Sequence, residues 1–434
     1  MTRRPRGHTV AGALLAALLV ASPAIVAAAG PSAASSNAAS DVAPPGVPPP
    51  TPVPPHGSPS PFPTVLHTPA PRLHPPEVAA KGAILGDLST GQVLFSRSPD
   101  HPRPIASLTK IMTALLSLER LDPSRVVTVR PEAAPGQVAG LSELGLVAGE
   151  RITVRDLLYG LMLASANDAA VALAQEISDS VDAFISLMNR RAAKLDLEHS
   201  RFFSPNGLDD RGYSTPRDLF ELTREAYEQP LFAKITRTKF ADVSGPNGKP
   251  RHLQNRNVLL WLYQGAFGVK TGYTQAAGYC VVAAAERDGS RLVAVVLGEP
   301  GEAFSDAAAL LDYGFRAFDR KTFVTKGEAF PAMTLHGESV PVSARDRLEG
   351  LVPAGAAATA KSQVRLDPGA PFPPTTGDVL ASVDVTAGGK EIGSVPLVAT
   401  SRPEPPPPPP GGWVGRTAGA IHTALSAGVS ALLS

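Results

Sequence analysis

The chain reads as an α/β protein of the α+β kind. An antiparallel sheet is flanked by helices, carries an all-α insertion and is followed by a small all-β domain. Three observations predict this. Apolar runs of strand length at residues 83–87 and 92–95 are answered, much later in the chain, by runs at 279–285 and 292–297. The residues between them are dominated by apolar positions at helical spacing. Beyond residue 321 short apolar runs alternate with Gly, Pro and Asp, which is the texture of strands and tight turns.

The sequence divides accordingly. Arg3, Arg4 and Arg6, the apolar run 10–20 and the small residues Ala27-Ala28-Ala29 form a secretory signal peptide over 1–29. The alternative is an uncleaved N-terminal anchor. Residues 30–77 form a linker. Fifteen of the 33 residues from 44 to 76 are proline, which favours an extended spacer that holds the folded part away from a surface. The main domain spans 78–320, the all-β domain 321–400 and a second proline-rich spacer 401–412. In 413–434, Val414, Ala418, Ile421, Leu425, Val429 and Leu432 share one helical face. That segment is expected to be a membrane-associated helix; the alternative is a helix docked on its own β domain.

Within the main domain, Leu88-Ser89-Thr90-Gly91 turns between the first two strands. A helix follows with Ile111, Met112, Leu115 and Leu118 on one face, then a short strand at 126–129 and a glycine-rich loop over 138–149. Thr153 with Asp156 three residues on predicts a helix start. That helix ends near Leu163, and Ser165 and Asn167 fall on the loop before the next one. A further helix covers 181–195, Ser204-Pro205-Asn206-Gly207 is a turn, and Thr215-Pro216-Arg217-Asp218 opens another helix. Arg287-Asp288-Gly289-Ser290 is a hairpin turn, and 303–318 is a closing helix. In the β domain, strands are expected within 333–335, 340–342, 363–366, 382–385 and 391–398, with Gly388-Gly389 as a hairpin turn.

Charge narrows the function classes. The full chain carries a formal net charge of +1, and removal of Arg3, Arg4 and Arg6 with the signal leaves −2. Such a chain is no electrostatic partner for nucleic acid. Cys280 is the only cysteine, so no intrachain disulfide exists despite the export signal. It lies in an apolar run and reads as a small buried hydrophobe.

The candidate chemistry lies in three short motifs. Ser107-x-x-Lys110 puts an amine one helical turn beyond a hydroxyl at a helix start, which is a nucleophile with a base beside it. Ser165-Ala166-Asn167 supplies two polar side chains on an inter-helix loop, and Lys270-Thr271-Gly272 places a cation on a strand. Each motif alone has an ordinary reading: a helix cap, a turn, a solvated lysine. The three in this order resemble the set shared by class A β-lactamases and penicillin-binding proteins.

More closely, residues 78–318 resemble the serine-type D-alanyl-D-alanine carboxypeptidases, the low-molecular-weight penicillin-binding proteins. The likeness is carried by Pro104-x-Ala106-Ser107-Leu108-Thr109-Lys110, Leu163-Ala164-Ser165-Ala166-Asn167-Asp168-Ala169, Phe203-Ser204-Pro205-Asn206-Gly207-Leu208 and Lys270-Thr271-Gly272-Tyr273-Thr274. The resemblance implies a β-lactamase/transpeptidase-like sheet and the following roles. Ser107 attacks the carbonyl between two D-alanines and forms an acyl-enzyme, and Lys110, kept neutral by burial and by Lys270, takes its proton. Ser165 passes a proton to the leaving amine, and Asn167 orients Lys110 and the substrate amide. Lys270, with Thr271 and Thr274, grips the terminal carboxylate. Gly272 leaves room for substrate backbone, and the N–H groups of Ser107 and Tyr273 form an oxyanion hole. Asp168 reads as a helix cap and 203–208 as a structural brace.

The resemblance calls for no cofactor and no metal. It implies stem peptides of peptidoglycan and β-lactams as partners, and an exported enzyme at the cell wall and the outer face of the cytoplasmic membrane. Three rivals are weighed. A β-lactamase needs a second base, for which Glu198 is placed in sequence without the expected Asn beyond it. A wall-binding protein would have lost the chemistry that these side chains keep. A metallopeptidase needs histidine spacing that His101, His199, His252 and His336 lack.

Overall fold

The computed structural model describes residues 74–401, apart from 135, 137–139, 302 and 355–358. The expected signal peptide, nearly all of the 30–77 linker, the second spacer beyond Ser401 and the C-terminal helix therefore lie outside the described residues.

A five-stranded antiparallel sheet organises the main part. Its strand order is Val93–Arg97, Gly82–Asp87, Ser290–Glu299, Gly278–Arg287 and Ala266–Thr274. Two strands come from one end of the domain and three from the other; the apolar runs account for two at each end, and the strand that carries Lys270 is the third late one. The runs are continuous because both faces of the sheet are covered. Ile84, Val282, Ala284, Val293, Val295 and Leu297 pack against the inserted helices. Their neighbours Leu85, Val281, Ala283, Leu292, Ala294 and Val296 pack against the closing helix Ala303–Ala317. This is the period of two of a strand, with each parity serving its own core.

Local signals explain how the elements start and stop. Thr153 Oγ1 accepts the Asp156 N–H at 3.1 Å and opens the helix Val154–Tyr159. Thr215 Oγ1 does the same for Asp218, also at 3.1 Å, at the head of Pro216–Tyr227. Asp288 (φ 47°) and Gly289 (φ 73°) make the two-residue turn between the paired residues Arg287 and Ser290. Both positive φ values suit the primed turns that match strand twist.

The insertion is helical in its bulk and also carries two short ribbons, Val126–Thr128 with Arg151–Thr153 and Phe240–Val243 with Arg251–Gln254. Its central helix, Lys110–Arg120, is buried on every side from Lys110 to Ser117, not along one face as the spacing suggests. It lies between the sheet and the other helices, and an element so enclosed has no solvent face to keep polar. Thr113 and Ser117 survive there because their hydroxyls donate to Pro205 O at 2.6 Å and to Thr113 O at 2.7 Å.

The strand Phe318–Val324 runs through the expected domain junction and pairs with Leu348–Pro353. The remaining strands form one antiparallel sheet in the order Ala329–Leu335, Glu338–Ala344, Lys390–Ala399, Val379–Ala387, Lys361–Leu366. Val340, Val342, Val383, Val385, Val395 and Leu397 give this module a core of its own. Polar contacts tie it to the main sheet. Arg320 donates to the fully buried Asp87 carboxylate at 2.7 Å, and the Gln92 amide both donates to and accepts from the Leu351 backbone, at 2.6 and 2.9 Å.

Candidate active site

The site lies where the head of the central helix meets the open edge of the sheet. Ser107 sits in a single 3-10 turn, Ala106–Thr109, and the α-helix proper begins at Lys110. Ala106, just before the serine, is held at φ 47°. A β-carbon makes that conformation costly, so this strain is stored beside the hydroxyl.

Lys110 has no solvent exposure. Its Nζ is 2.9 Å from Ser107 Oγ, 2.8 Å from Asn167 Oδ1 and 2.7 Å from the Asn206 carbonyl. Burial holds its pKa well below the usual lysine range, and the positive charges of Lys270 and Arg256 lower it further against the opposing pull of Asp168. Two of its three neighbours can only accept. A neutral amine has two N–H bonds, which Asn167 and Asn206 take, and its lone pair is left facing the serine hydroxyl.

Lys270, Thr271, Gly272, Tyr273 and Thr274 end the strand Ala266–Thr274, the sheet's edge on this side. Lys270 and Gly272 pair with Val282 and Cys280, whose side chains pack toward the helices. Partners across a ladder share a face, so Lys270 and Gly272 look into the cleft. Burial, then the Arg256 charge, lowers the Lys270 pKa to about 7, and its amine donates to Thr271 O at 3.0 Å. A β-carbon on Gly272 would lie 3.0 Å from Ser107 N. Only a residue without a side chain lets this strand come so close to the serine backbone. Thr271 and Tyr273 have the opposite parity, and Tyr273 stacks on Tyr279 with ring centres 4.6 Å apart. Cys280 is buried as expected, and burial pushes its thiol up to about 12.

Ser165 (φ 62°, ψ 30°) is left-handed and separates the π-turn Gly160–Ala164 from the helix Asn167–Ile177. Asn167 is therefore the first residue of that helix and not a loop residue.

The D-alanyl-D-alanine carboxypeptidase family matches this chain over residues 70–301, more than half its length. The chain belongs to that family. It is a serine carboxypeptidase with the penicillin-binding-protein fold. It is 36% identical over 246 residues to the D-alanyl-D-alanine carboxypeptidase DacF of Bacillus subtilis, an alignment covering 55% of this chain and 63% of that one. It is 33% identical over 361 residues to DacC of Escherichia coli, covering 79% of this chain and 87% of the relative. Among solved structures, penicillin-binding protein 5 of Haemophilus influenzae superposes with a TM-score of 0.67 at 29% identity, over 76% of this chain and 99% of that one.

Three further residues shape the carboxypeptidase's cleft. Asp168 does cap its helix, accepting the Ala169 N–H at 2.8 Å, but its carboxylate also accepts the N–H groups of Leu144, Gly145 and Leu146 at 2.8, 2.8 and 3.0 Å. It thereby fastens residues 144–146 of the glycine-rich loop to the first turn of the helix that begins at Asn167. Arg256 donates to Ser142 Oγ at 2.7 Å, and Ser142 O accepts the Asn167 N–H at 2.8 Å. Asn206 presents the backbone carbonyl that meets Lys110. Thr274 differs from the other predicted site residues. Its hydroxyl is committed to Asp210 Oδ1 at 2.6 Å and accepts the Ala277 N–H at 3.1 Å. Among the described residues no group of three or more His, Cys, Asp or Glu side chains is placed to hold a metal ion.

The 203–208 turn braces the head of the central helix, its Pro205 and Asn206 carbonyls accepting from Thr113 and Lys110. Gly207 has φ +81°, and a β-carbon there would fall 1.9 Å from Ala106 O, a backbone atom that cannot swing away. Gly207→Ala is expected to destabilise the protein by about 2–4 kcal/mol through overpacking and strain. It should also slow acylation, because the Asn206 carbonyl must move with it. Thermal unfolding and penicillin labelling of the purified variant check both effects.

Proposed function

We propose that the enzyme releases the terminal D-alanine from stem pentapeptides of peptidoglycan through an acyl-enzyme on Ser107. Penicillins acylate the same oxygen. One observation carries this reading: the buried Lys110 amine, with two pure acceptors on its N–H bonds, meets Ser107 Oγ at 2.9 Å.

The steps follow from the geometry. The Lys110 lone pair takes the Ser107 proton as Oγ attacks the penultimate carbonyl. The oxyanion forms against the N–H groups of Ser107 and Tyr273, which the close approach of Gly272 brings together; one such donor contributes about 2.7–4 kcal/mol of barrier lowering. Ser165 relays a proton to the departing D-alanine nitrogen, and Asn167 holds Lys110 and the substrate amide. Lys270 and Arg256 provide the positive field for the terminal carboxylate, and Thr271 follows Lys270 on the same edge strand. A grip on a free carboxylate favours trimming of chain ends over cleavage within a chain. Water then repeats the attack on the acyl-enzyme with Lys110 again as base.

A β-lactamase would need a carboxylate to free the acyl-enzyme fast. Glu198 is exposed in the turn after the helix Val181–Lys194. This favours the carboxypeptidase over the β-lactamase. The domain division at 320/321, export by the 1–29 signal, and attachment of 413–434 to the outer face of the membrane belong to the same proposal. No helix among the described residues is long and apolar enough to cross a membrane, and 413–434 lies outside them.

Intact-protein mass spectrometry after penicillin treatment tests the proposal. The native chain should gain one penicilloyl mass that leaves slowly, and Ser107→Ala none. An adduct on Ser107→Ala would place the nucleophile elsewhere, and rapid multiple-turnover hydrolysis of penicillin would make the protein a β-lactamase.

A further inference from the structure

We infer that Asp210 is a positioning residue for acyl transfer: its carboxylate latches the strand end that carries the oxyanion N–H to the loop that holds the catalytic lysine. The inference rests on the reading of the site given above.

The two halves of the reacting centre stand on different elements. Ser107 and Lys110 belong to the head of the central helix, and the Tyr273 N–H belongs to the edge strand Ala266–Thr274. Among the described residues no strand pairs with the outer side of that edge. Its last residues are therefore supported on one side by Gly278–Arg287 and on the other only by what the cleft supplies. Gly272 rests on the Ser107 turn. Beyond it, the Thr274 hydroxyl donates to Asp210 Oδ1 at 2.6 Å. A hydroxyl given to an ionised carboxylate at that distance is among the stronger neutral-to-charged contacts.

Asp210 stands on a segment that is itself fixed. Ser204 Oγ accepts the Gly207 N–H at 2.9 Å, and Asn206 Oδ1 accepts the Leu208 N–H at 3.1 Å. Pro205 O and Asn206 O are bound by Thr113 and Lys110 of the central helix, at 2.6 and 2.7 Å. The Asp209–Arg211 ion pair at 2.6 Å flanks Asp210, and the Arg211 guanidinium lies 4.9 Å from the centre of the Phe203 ring. One short loop thus grips the base with a backbone carbonyl and the oxyanion strand with a side-chain carboxylate. It sets the distance across the cleft. The same bond commits the Thr274 hydroxyl as a donor, which leaves the carboxylate of the substrate to Lys270 and Arg256. Thr274 then acts by holding its strand and not by touching substrate.

A latch of this kind serves the transition state more than the encounter complex, because the oxyanion forms only as Oγ attacks. Stopped-flow acylation of the purified full chain by a fluorescent penicillin separates the two through the acylation rate constant and the dissociation constant of the non-covalent complex. Asp210→Ala and Thr274→Val are each expected to slow acylation by about 5- to 20-fold with the dissociation constant changed by less than about twofold, the scale of one lost hydrogen bond. The double variant should be no slower than either single one. Asp210→Asn keeps an acceptor oxygen at the same place and should recover most of the rate, which a charge effect alone would not. Native rates in Asp210→Ala, additive losses in the double variant, or a loss confined to binding would overturn the latch. Acylation of Ser107→Ala in the same assay would instead overturn the site on which it rests.

Discussion

Lys110→Met is expected to slow acylation of Ser107 by about 10³- to 10⁴-fold while the chain remains folded. Methionine has nearly the length of lysine and suits a site with no solvent exposure. It removes the group placed 2.9 Å from Ser107 Oγ with a lone pair to offer. Two acceptors lose their donor, Asn167 Oδ1 and the Asn206 carbonyl. Each unsatisfied acceptor costs about 1–3 kcal/mol, and removal of a buried amine offsets part of that.

A second substitution separates the base from the hydrogen-bond donor. Lys110→Arg retains donors for the two acceptors, but a guanidinium does not give up its proton in a protein. If deprotonation is what the site needs, the arginine variant is as slow as the methionine one, as read from the rate of penicilloyl mass gain. Acylation by the arginine variant within tenfold of the native rate would show that a cation suffices and that the base lies elsewhere. The thermal midpoint of each variant guards against simple unfolding.

What could be read from the sequence is what short spacing encodes. Ser107 and Lys110 are one turn apart, so their meeting follows from helix geometry alone. Thr153 with Asp156 and Thr215 with Asp218 announce helix starts for the same reason, and Asp288-Gly289 announces a turn because few residues accept its backbone angles. The Ser165 and Lys270 motifs are legible only in combination, since neither tripeptide has a local consequence.

The parts that stayed hidden depend on contacts between distant segments. The Asn206 carbonyl is a backbone group, present at every residue, and nothing in Ser204-Pro205-Asn206-Gly207 says which lysine it will meet. Asp168 looks like a helix cap and is one, yet most of its hydrogen bonds reach back to residues 144–146, which only the folded loop brings near. Arg256 has no motif around it. The central helix shows an amphipathic pattern through Leu118, but its polar members Thr113 and Ser117 are buried and satisfied internally, which reverses what polarity normally signals. The strand Leu348–Pro353 follows charged residues and is held by pairing with Phe318–Val324, a partner well before it in the chain.

Lys270→Met should give opposite signs in activity and stability. The lysine amine is almost fully buried, and its pKa falls from 10.5 to about 7. Between those values the unfolded chain holds a proton that the folded chain has released. Folding stability contributed by this group therefore rises with pH across the window from about 7 to 10.5 and is at its lowest below it. At neutral pH the buried amine costs on the order of a few kcal/mol, which an apolar side chain of similar length avoids. The variant should melt several degrees higher than the native protein at pH 7, at about 2–4 °C per kcal/mol for a chain of this size. The gain should shrink as the pH rises toward 10.5 and vanish above it, where lysine is neutral in both states. Function moves the other way. The substrate carboxylate must pay for its own desolvation against a cation, and without one kcat/KM for D-alanine release should fall by about 10²- to 10³-fold, with KM carrying much of the loss. In the native enzyme the same titration predicts a falling limb in kcat/KM as Lys270 loses its proton near pH 7. The falling limb should vanish in the methionine variant. A variant less stable than the native chain at pH 7, or a falling limb that persists in it, would mean that the cation at 270 is neither costly to the fold nor the group that grips the carboxylate.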